Sequence, residues 1–409
     1  MKKKDLILLF VFLALVSIGD GFFYNFQELW MASNNFSLKT ISVIYSICSL
    51  ITVSVIFLCS SLIKKEYLKR FVQVLLFFKI ICVLSLYLLY SSGLSFLIKL
   101  FIMIDFVLDV ELITSIYPMI SIIKMGDKEY ASKEIVYSAS YYFGVILTII
   151  LLGKKIGFIH FSYNSYLFVA FIFAVLAFVF LWNINLEKYI DKNIEEEKND
   201  KLIIEKLLGD IKKDKISKLF LSSMVVNQFS FNSALGLEII LLTSGIGLSP
   251  TKASGLSMTL GIISVFVATF VLSKLTFKND YINISIKYGG RLLFYLLAVI
   301  GGTKYFIILA VCFARLLSLS YVNVVDAPYV NRINKDYQLA FCNLKEMLVY
   351  LGKSLGLLFC GVLMNIDLRL NFLFAAILVF LEIYLRMIAL KYRLEEEGKK
   401  WLVMVGMKL

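Results

Sequence analysis

Histidine occurs once in this chain, proline three times and cysteine six times, and charged residues fill only 17% of its 409 positions. Each shortage removes a class of function. His160 stands alone, and Cys48, Cys59, Cys82, Cys312, Cys342 and Cys360 are scattered through apolar stretches without a CxxC spacing. A zinc centre, a disulfide framework and a histidine-based catalytic constellation are therefore all excluded, and no cofactor is expected. A P-loop is missing as well: Gly352-Lys353-Ser354 supplies its last three letters, but Met347 stands where its first glycine belongs. Soluble domains carry about 25% charged residues. A chain with 60% hydrophobic residues and a mean hydropathy of +0.85 has lipid as its main solvent.

What the chain has in abundance is long apolar runs. A bilayer core of about 30 Å takes roughly 20 residues of helix at about 1.5 Å each. The pattern predicts twelve such spans: 6–30, 38–62, 71–91, 94–123, 132–152, 164–184, 218–244, 252–275, 284–301, 304–328, 338–364 and 370–390. The runs are continuous, whereas barrel strands alternate over segments of about 10 residues, so helices are expected. Basic residues gather at Lys2 to Lys4, at Lys64, Lys65, Lys69 and Arg70, at Lys124, Lys128 and Lys133, in the 185–217 loop, at Arg332 and Lys335, and in the C-terminal tail. The alternate loops Ala32–Ser37, Ser91–Ser95 and Ser244–Ser249 have none. The positive-inside rule then predicts a multi-pass protein of the cell membrane with both termini in the cytoplasm. The net charge of +13 is read as this topology signal and not as a nucleic-acid footprint. The opening MKKKDLILLFVFLALV resembles a secretory signal, but its apolar run continues past Asp20 to Trp30, so a retained first helix is expected.

One sizeable polar insert divides the chain. The expected organisation is a six-helix bundle over 1–184, a charged cytoplasmic linker over 185–217, a second six-helix bundle over 218–390 and a cytoplasmic tail over 391–409. Ile203, Ile204, Leu207 and Leu208 give the insert a modest apolar stripe, so it reads as a solvated linker or, second, a surface helix. The two halves match in register. Asp105–Pro118 (DFVLDVELITSIYP) lies over Arg315–Pro328 (RLLSLSYVNVVDAP). Glu129-Tyr130 lies over Asp336-Tyr337, Gly144 over Gly352, and Phe36-Ser37 over Leu248-Ser249, all at an offset of about 210 positions. A duplicated six-helix unit places a substrate site between the repeats near the midplane.

In this organisation the chain resembles the major facilitator superfamily over essentially its whole length. The signature loop between helices two and three of that family, Gly-x-x-x-Asp-Arg-x-Gly-Arg-Arg, falls on Ser61–Arg70 (SLIKKEYLKR), where Lys69 and Arg70 fit. The family's fourth helix commonly carries an arginine facing the cavity. Here that position is Asp105, and the arginine appears on the tenth helix as Arg315, so the polarity is exchanged between halves. The Gly-Pro-x-x-Gly-Gly stretch of drug/proton antiporters is absent from Tyr137–Gly153. The resemblance implies a monomeric secondary transporter for a small molecule, with helices one, four, seven and ten lining the cavity.

Those four helices all carry polar residues. Asp20, Tyr24, Gln27 and Glu28 form one stripe of the first, and Asp105 and Asp109 share a face of the fourth by i, i+4 spacing. The seventh offers Asn227, Gln228, Asn232 and Glu238, with Glu238 near the azimuth of Asn227, and the tenth offers Arg315 and Asp326. Asp105 and Arg315 each lie about 15 Å into a span, near the midplane. A charge at that depth costs about 2.5–3.5 kcal/mol even on lenient scales, and such residues mark ion or substrate paths. Glu346 and Lys353 on the eleventh span are gate candidates. Lys79, Lys99, Lys287 and Arg291 are expected to snorkel to an interface.

Asp105 and Asp109 stand one turn apart, which disfavours ionising both and equips the pair to carry a proton. Arg315, approaching from the other half, would favour the charged form. The expected activity is proton-coupled efflux of a cationic or amphipathic compound. Uptake of a nutrient or organic anion by symport, using Arg315, is the alternative, and an ion channel is the alternative of another class.

Overall fold

A computed structural model of the chain describes residues 3–23, 27, 31, 36–62, 67–89, 95–121, 127–151, 154–156, 159–160, 162–184, 200–249, most of 252–260, 263, 279–301, 304–320, 329 and 338–404. They fall into two compact units, Met1–Lys198 with Ile239–Thr259, and Asn199–Glu238 with Leu260–Leu409. The first contains α1 (Lys3–Phe23), α2 (Leu38–Leu62), α3 (Leu68–Leu89), α4 (Ser95–Ser121), α5 (Asp127–Leu151) and α6 (Tyr163–Asn183). Between α5 and α6 lies a hairpin of two-residue strands, β1 (Lys155–Ile156) and β2 (Ile159–His160), which pairs Lys155 opposite His160. The second unit contains α7 (Asp200–Lys213), α8 (Lys215–Leu235), α10 (Asp280–Ile284), α11 (Gly290–Gly301), α12 (Lys304–Ser320), α13 (Gln338–Met364) and α14 (Leu368–Met404). The short α9 (Glu238–Ile240) follows α8, and a π-helical turn, Ser285–Gly289, joins α10 to α11.

These helices are inside-out by the standards of a soluble protein. On α3 the side chains of Leu75, Leu76, Lys79, Cys82, Val83 and Leu86 are buried, while Phe77 and Phe78 are 51% and 52% exposed. α14 repeats the pattern, burying Asn371, Glu382 and Arg386 while leaving Ile377 60% and Phe380 66% exposed. Apolar rows of that size are a liability in water and the natural surface in lipid. Seven helices among the described residues are long and apolar enough to cross a bilayer, in keeping with an all-α membrane protein. The expected eighth span, 252–275, lies largely outside the described residues.

Packing within each unit depends on close helix crossings. In the first, α1 lies against α5 and α6, and α3 against α4 and α6. A side chain at Gly144 would place its Cβ 2.5 Å from the carbonyl oxygen of Ile18, and one at Gly21 would meet the carbonyl of Tyr141 at 2.5 Å. In the second unit α8 lies against α13 and α14, and a Cβ at Gly356 would sit 2.8 Å from the Phe229 carbonyl oxygen. Gly352 faces the carbonyl of Val225 in the same way. Gly144 on Ile18 and Gly352 on Val225 thus make one crossing twice, at the offset of about 210 positions that the sequence shows.

The seventh span departs from expectation. In place of one helix over 218–244, α8 stops at Leu235, Gly236 and Leu237 form a turn, and α9 runs into a π-helical turn at Leu241–Gly245. Glycine lowers helix stability, and Gly236 has no room for a Cβ beside the Leu357 side chain at 2.8 Å. The azimuth shared by Asn227 and Glu238 therefore does not exist, because the helix is interrupted between them. Residues 200–213 take the surface-helix reading: Leu207 and Ile211 of α7 pack on Ile216, Phe220, Phe341 and Leu344.

Candidate functional site

α3 exposes one apolar face and buries the other, and Lys79 lies on the buried face one turn before Cys82 and Val83. The expectation that it snorkels fails for that reason. The side chain stays buried on the packed side, where carboxylates of two neighbouring helices supply the partner that water would otherwise be. The Lys79 ammonium is 2.5 Å from Oδ1 of Asp20 on α1 and also pairs with Oδ1 of Asp109 on α4. All three groups are buried. One cation therefore ties three helices of the first unit together, and neither acid reaches it by sequence proximity.

Asp105 lies one turn from Asp109 on α4 and is fully buried. Among the described residues, neither of its carboxylate oxygens has a hydrogen-bond partner, and Oδ2 of Asp20 has none either. Asp105 lies within electrostatic reach of Lys79, Asp109 and Asp20. The cluster thus contains three carboxylates and one ammonium. Buried charges are normally paired, so acids in excess of bases in an apolar interior call for protons or a further cation. The thiol of Cys82 closes the α3–α4 seam beside it, donating to the carbonyl of Phe101 at 3.1 Å. Gln27, also fully buried, accepts a hydrogen bond from the Tyr45 hydroxyl of α2 at 3.0 Å. Tyr24 lies outside the described residues.

The second unit has its own buried cluster, of opposite composition. Glu382 on α14 accepts from Arg291 Nη2 on α11 at 2.6 Å, from Arg386 Nε at 3.2 Å and from Asn227 Nδ2 on α8 at 2.6 Å. Arg291 and Glu382 are 1% and 0% exposed, so the snorkelling reading fails for Arg291 as well. Lys287, Arg291 and Arg386 surround the buried ring of Tyr288 at 4.9, 5.7 and 4.7 Å from its centroid. Lys287 is also buried and does not snorkel, whereas Lys99 is half-buried at the start of α4, over the ring of Phe36.

The other sequence candidates separate. Asn227 belongs to the Glu382 cluster, while Asn232 donates to the backbone oxygen of Gln228 at 2.8 Å where α8 meets the glycine face of α13. Glu238 is buried at the break after α8. Arg315 lies on α12, and its side chain, like all of Asp326, lies outside the described residues, as does the expected pairing with Asp105. Lys353 sits over the ring of Tyr350, and among the described residues no ion pair joins it to Glu346. Sequence reasoning missed Lys79, Arg291, Glu382 and Arg386 as site residues. The available signal was positional: Lys79 and Arg291 occupy equivalent places in the third and ninth spans, and Glu382 and Arg386 are an i, i+4 pair in an apolar helix.

No protein-family model matches the chain, and no curated protein matches it in sequence. Solved structures do match its fold. The nucleoside transporter NupG is 12% identical with a TM-score of 0.62 over 96% of this chain and 100% of that one. The POT family transporter PepTSo is 13% identical with a TM-score of 0.65 over 96% and 98% of the two chains. A POT family transporter in complex with 5-aminolevulinic acid is 14% identical with a TM-score of 0.60 over 95% and 96%. The likeness extends over essentially the full length of each, and the chain shares the fold of these solved transporter structures.

Proposed function

We propose that the protein is a secondary active transporter that moves a small molecule across the cell membrane by alternating access, coupled to protons, in the direction of efflux and for a cationic or amphipathic compound. The observation that carries this reading is the buried Asp20–Lys79–Asp109 cluster with Asp105 unpaired beside it. In the family that the chain resembles, the first and fourth helices line the path, and here they supply all three acids. The acids exceed the base by two, so the cluster favours protons or a cationic cargo over an anion. Competition between them for the same carboxylates gives exchange: a proton entering from one side displaces cargo towards the other. Arg315, from the tenth helix, is the residue proposed to drive the proton off Asp105, by favouring its charged form, when the halves approach.

Reconstitution into liposomes tests this. Saturable counterflow driven by an imposed pH gradient is expected. Ohmic current without counterflow would establish a channel instead. Asp105→Asn is expected to lose gradient-driven transport while retaining cargo exchange, and full pH-dependent transport by that variant would remove Asp105 from the coupling step.

A further inference from the structure

Three unpaired oxygens stand out in the first-half acid cluster. Asp105 Oδ1, Asp105 Oδ2 and Asp20 Oδ2 are carboxylate oxygens, buried and without a hydrogen-bond donor. Of the donors nearby, the Lys79 ammonium pairs with Asp20 and Asp109, and the Cys82 thiol donates to the Phe101 carbonyl. A group that satisfies such a site must bring donors and positive charge. Hydroxyls and carboxylates do not meet both conditions, and a quaternary ammonium meets only the second. A protonated amine meets both, since a primary ammonium carries three N–H donors in a compact tetrahedral head. Lys79 shows the same chemistry, since an alkylammonium already lies between two of the three acids.

From these atoms we infer that the cluster recognises the N–H bonds of a protonated amine, and that the cargo carries a primary or secondary ammonium and not a quaternary one. Lys79 acts here as a specificity-determining residue. By occupying Asp20 Oδ1 and Asp109 Oδ1 it directs the head of the cargo to Asp105 and the outer oxygen of Asp20. The inference rests on the proposal that this cluster faces the transport path. Hydrogen-bond selection of this kind is steep, because an analogue that lacks the donor leaves buried acceptors unpaired.

Thermal-shift titration of the purified, unaltered protein at neutral pH with four aromatic probes tests it: benzylammonium, benzyldimethylammonium, benzyltrimethylammonium and benzoate. The expected result is saturable stabilisation by benzylammonium, weaker by the tertiary ion and at least tenfold weaker by the quaternary ion, with none by benzoate. Asp105→Asn should abolish the benzylammonium response, and Lys79→Arg, which keeps the charge, should preserve the ranking. Equal binding of the primary and quaternary ions would overturn the inference and leave the cationic-cargo reading standing. Stabilisation by benzoate alone would overturn both, and the absence of a response to any ammonium would overturn the inference. The ranking is read on the unaltered chain, so a variant that fails to fold does not decide the matter.

Discussion

The two halves share a scaffold and differ in chemistry. Each carries the same glycine crossing, Gly144 over Ile18 and Gly352 over Val225, and each buries a base at the same place of its third helix, Lys79 and Arg291. From there they diverge. Lys79 meets acids on α1 and α4, which outnumber it, whereas Arg291 and Arg386 converge on the single acid Glu382 of α14. Protons can discharge an acid-rich cluster. Guanidinium groups stay charged at any physiological pH, so the bases of the second cluster keep their charge. On the proposed reading, the duplicated framework carries a switchable centre in one half and a pin in the other.

The sharpest way to break this comparison is to remove the pin. Glu382→Ala leaves two buried guanidinium groups without their carboxylate and is expected to cost about 3–5 kcal/mol, read as a fall in melting temperature of the purified protein at every pH. A loss confined to part of the pH range would mean that the second cluster also titrates. Lys79→Met is expected to cost less, about 3 kcal/mol, because the stranded acids can take up protons, and transport should fall to background. Adding Asp109→Asn should recover most of the melting temperature and none of the transport; recovery of both would make Lys79 a purely structural clasp.

Smaller effects test the scaffold. Gly144→Ala and Gly352→Ala each press a methyl group on a backbone carbonyl, and each should lower stability by about 1–3 kcal/mol. Similar losses in denaturant or thermal melts would support a duplicated crossing, while a tolerated substitution in one half would restrict the symmetry to the other. The smallest change concerns a feature of the second half, the cap of α8. Asp214 accepts from the Ile216 and Ser217 amides at 3.2 and 3.3 Å. Asp214→Ala should cost about 1 kcal/mol without altering transport, and a transport defect at intact stability would give this helix start a functional role.

Much of the fold could be read from hydropathy, because lipid demands long uninterrupted apolar helices and leaves a clear mark on sequence. The Gly144 and Gly352 match was legible for a similar reason: only glycine permits backbones to approach that closely. Lys79 was not legible as a site residue. α3 is apolar on both its lipid and its packed face, so hydrophobic periodicity, which reveals the inward side of a soluble helix, gave no azimuth for its single buried base. The same loss of contrast hid Arg291 and Glu382. Asp20, Asp105 and Asp109 could be found because a buried carboxylate is costly wherever it points, although their common partner could not. The break at Gly236 was hidden because one glycine in an apolar run is an ordinary feature of membrane helices.

The π-helical turn at Ser285–Gly289 has a consequence for where the bases of the second half point. α3 and the helical stretch Asp280–Gly301 have corresponding ends, yet only the second contains such a turn. A π turn takes in one residue more than an α turn, so it resets the rotational phase of the helix that follows. Each residue of an α-helix advances that phase by about 100°. Excising one residue from Ser285–Gly289 would restore regular winding and swing one side of the helix against the other by that angle, turning Lys287 and Arg291 away from a common neighbour. The winding of a helix, as much as the residue it carries, thus decides which neighbour its buried base meets.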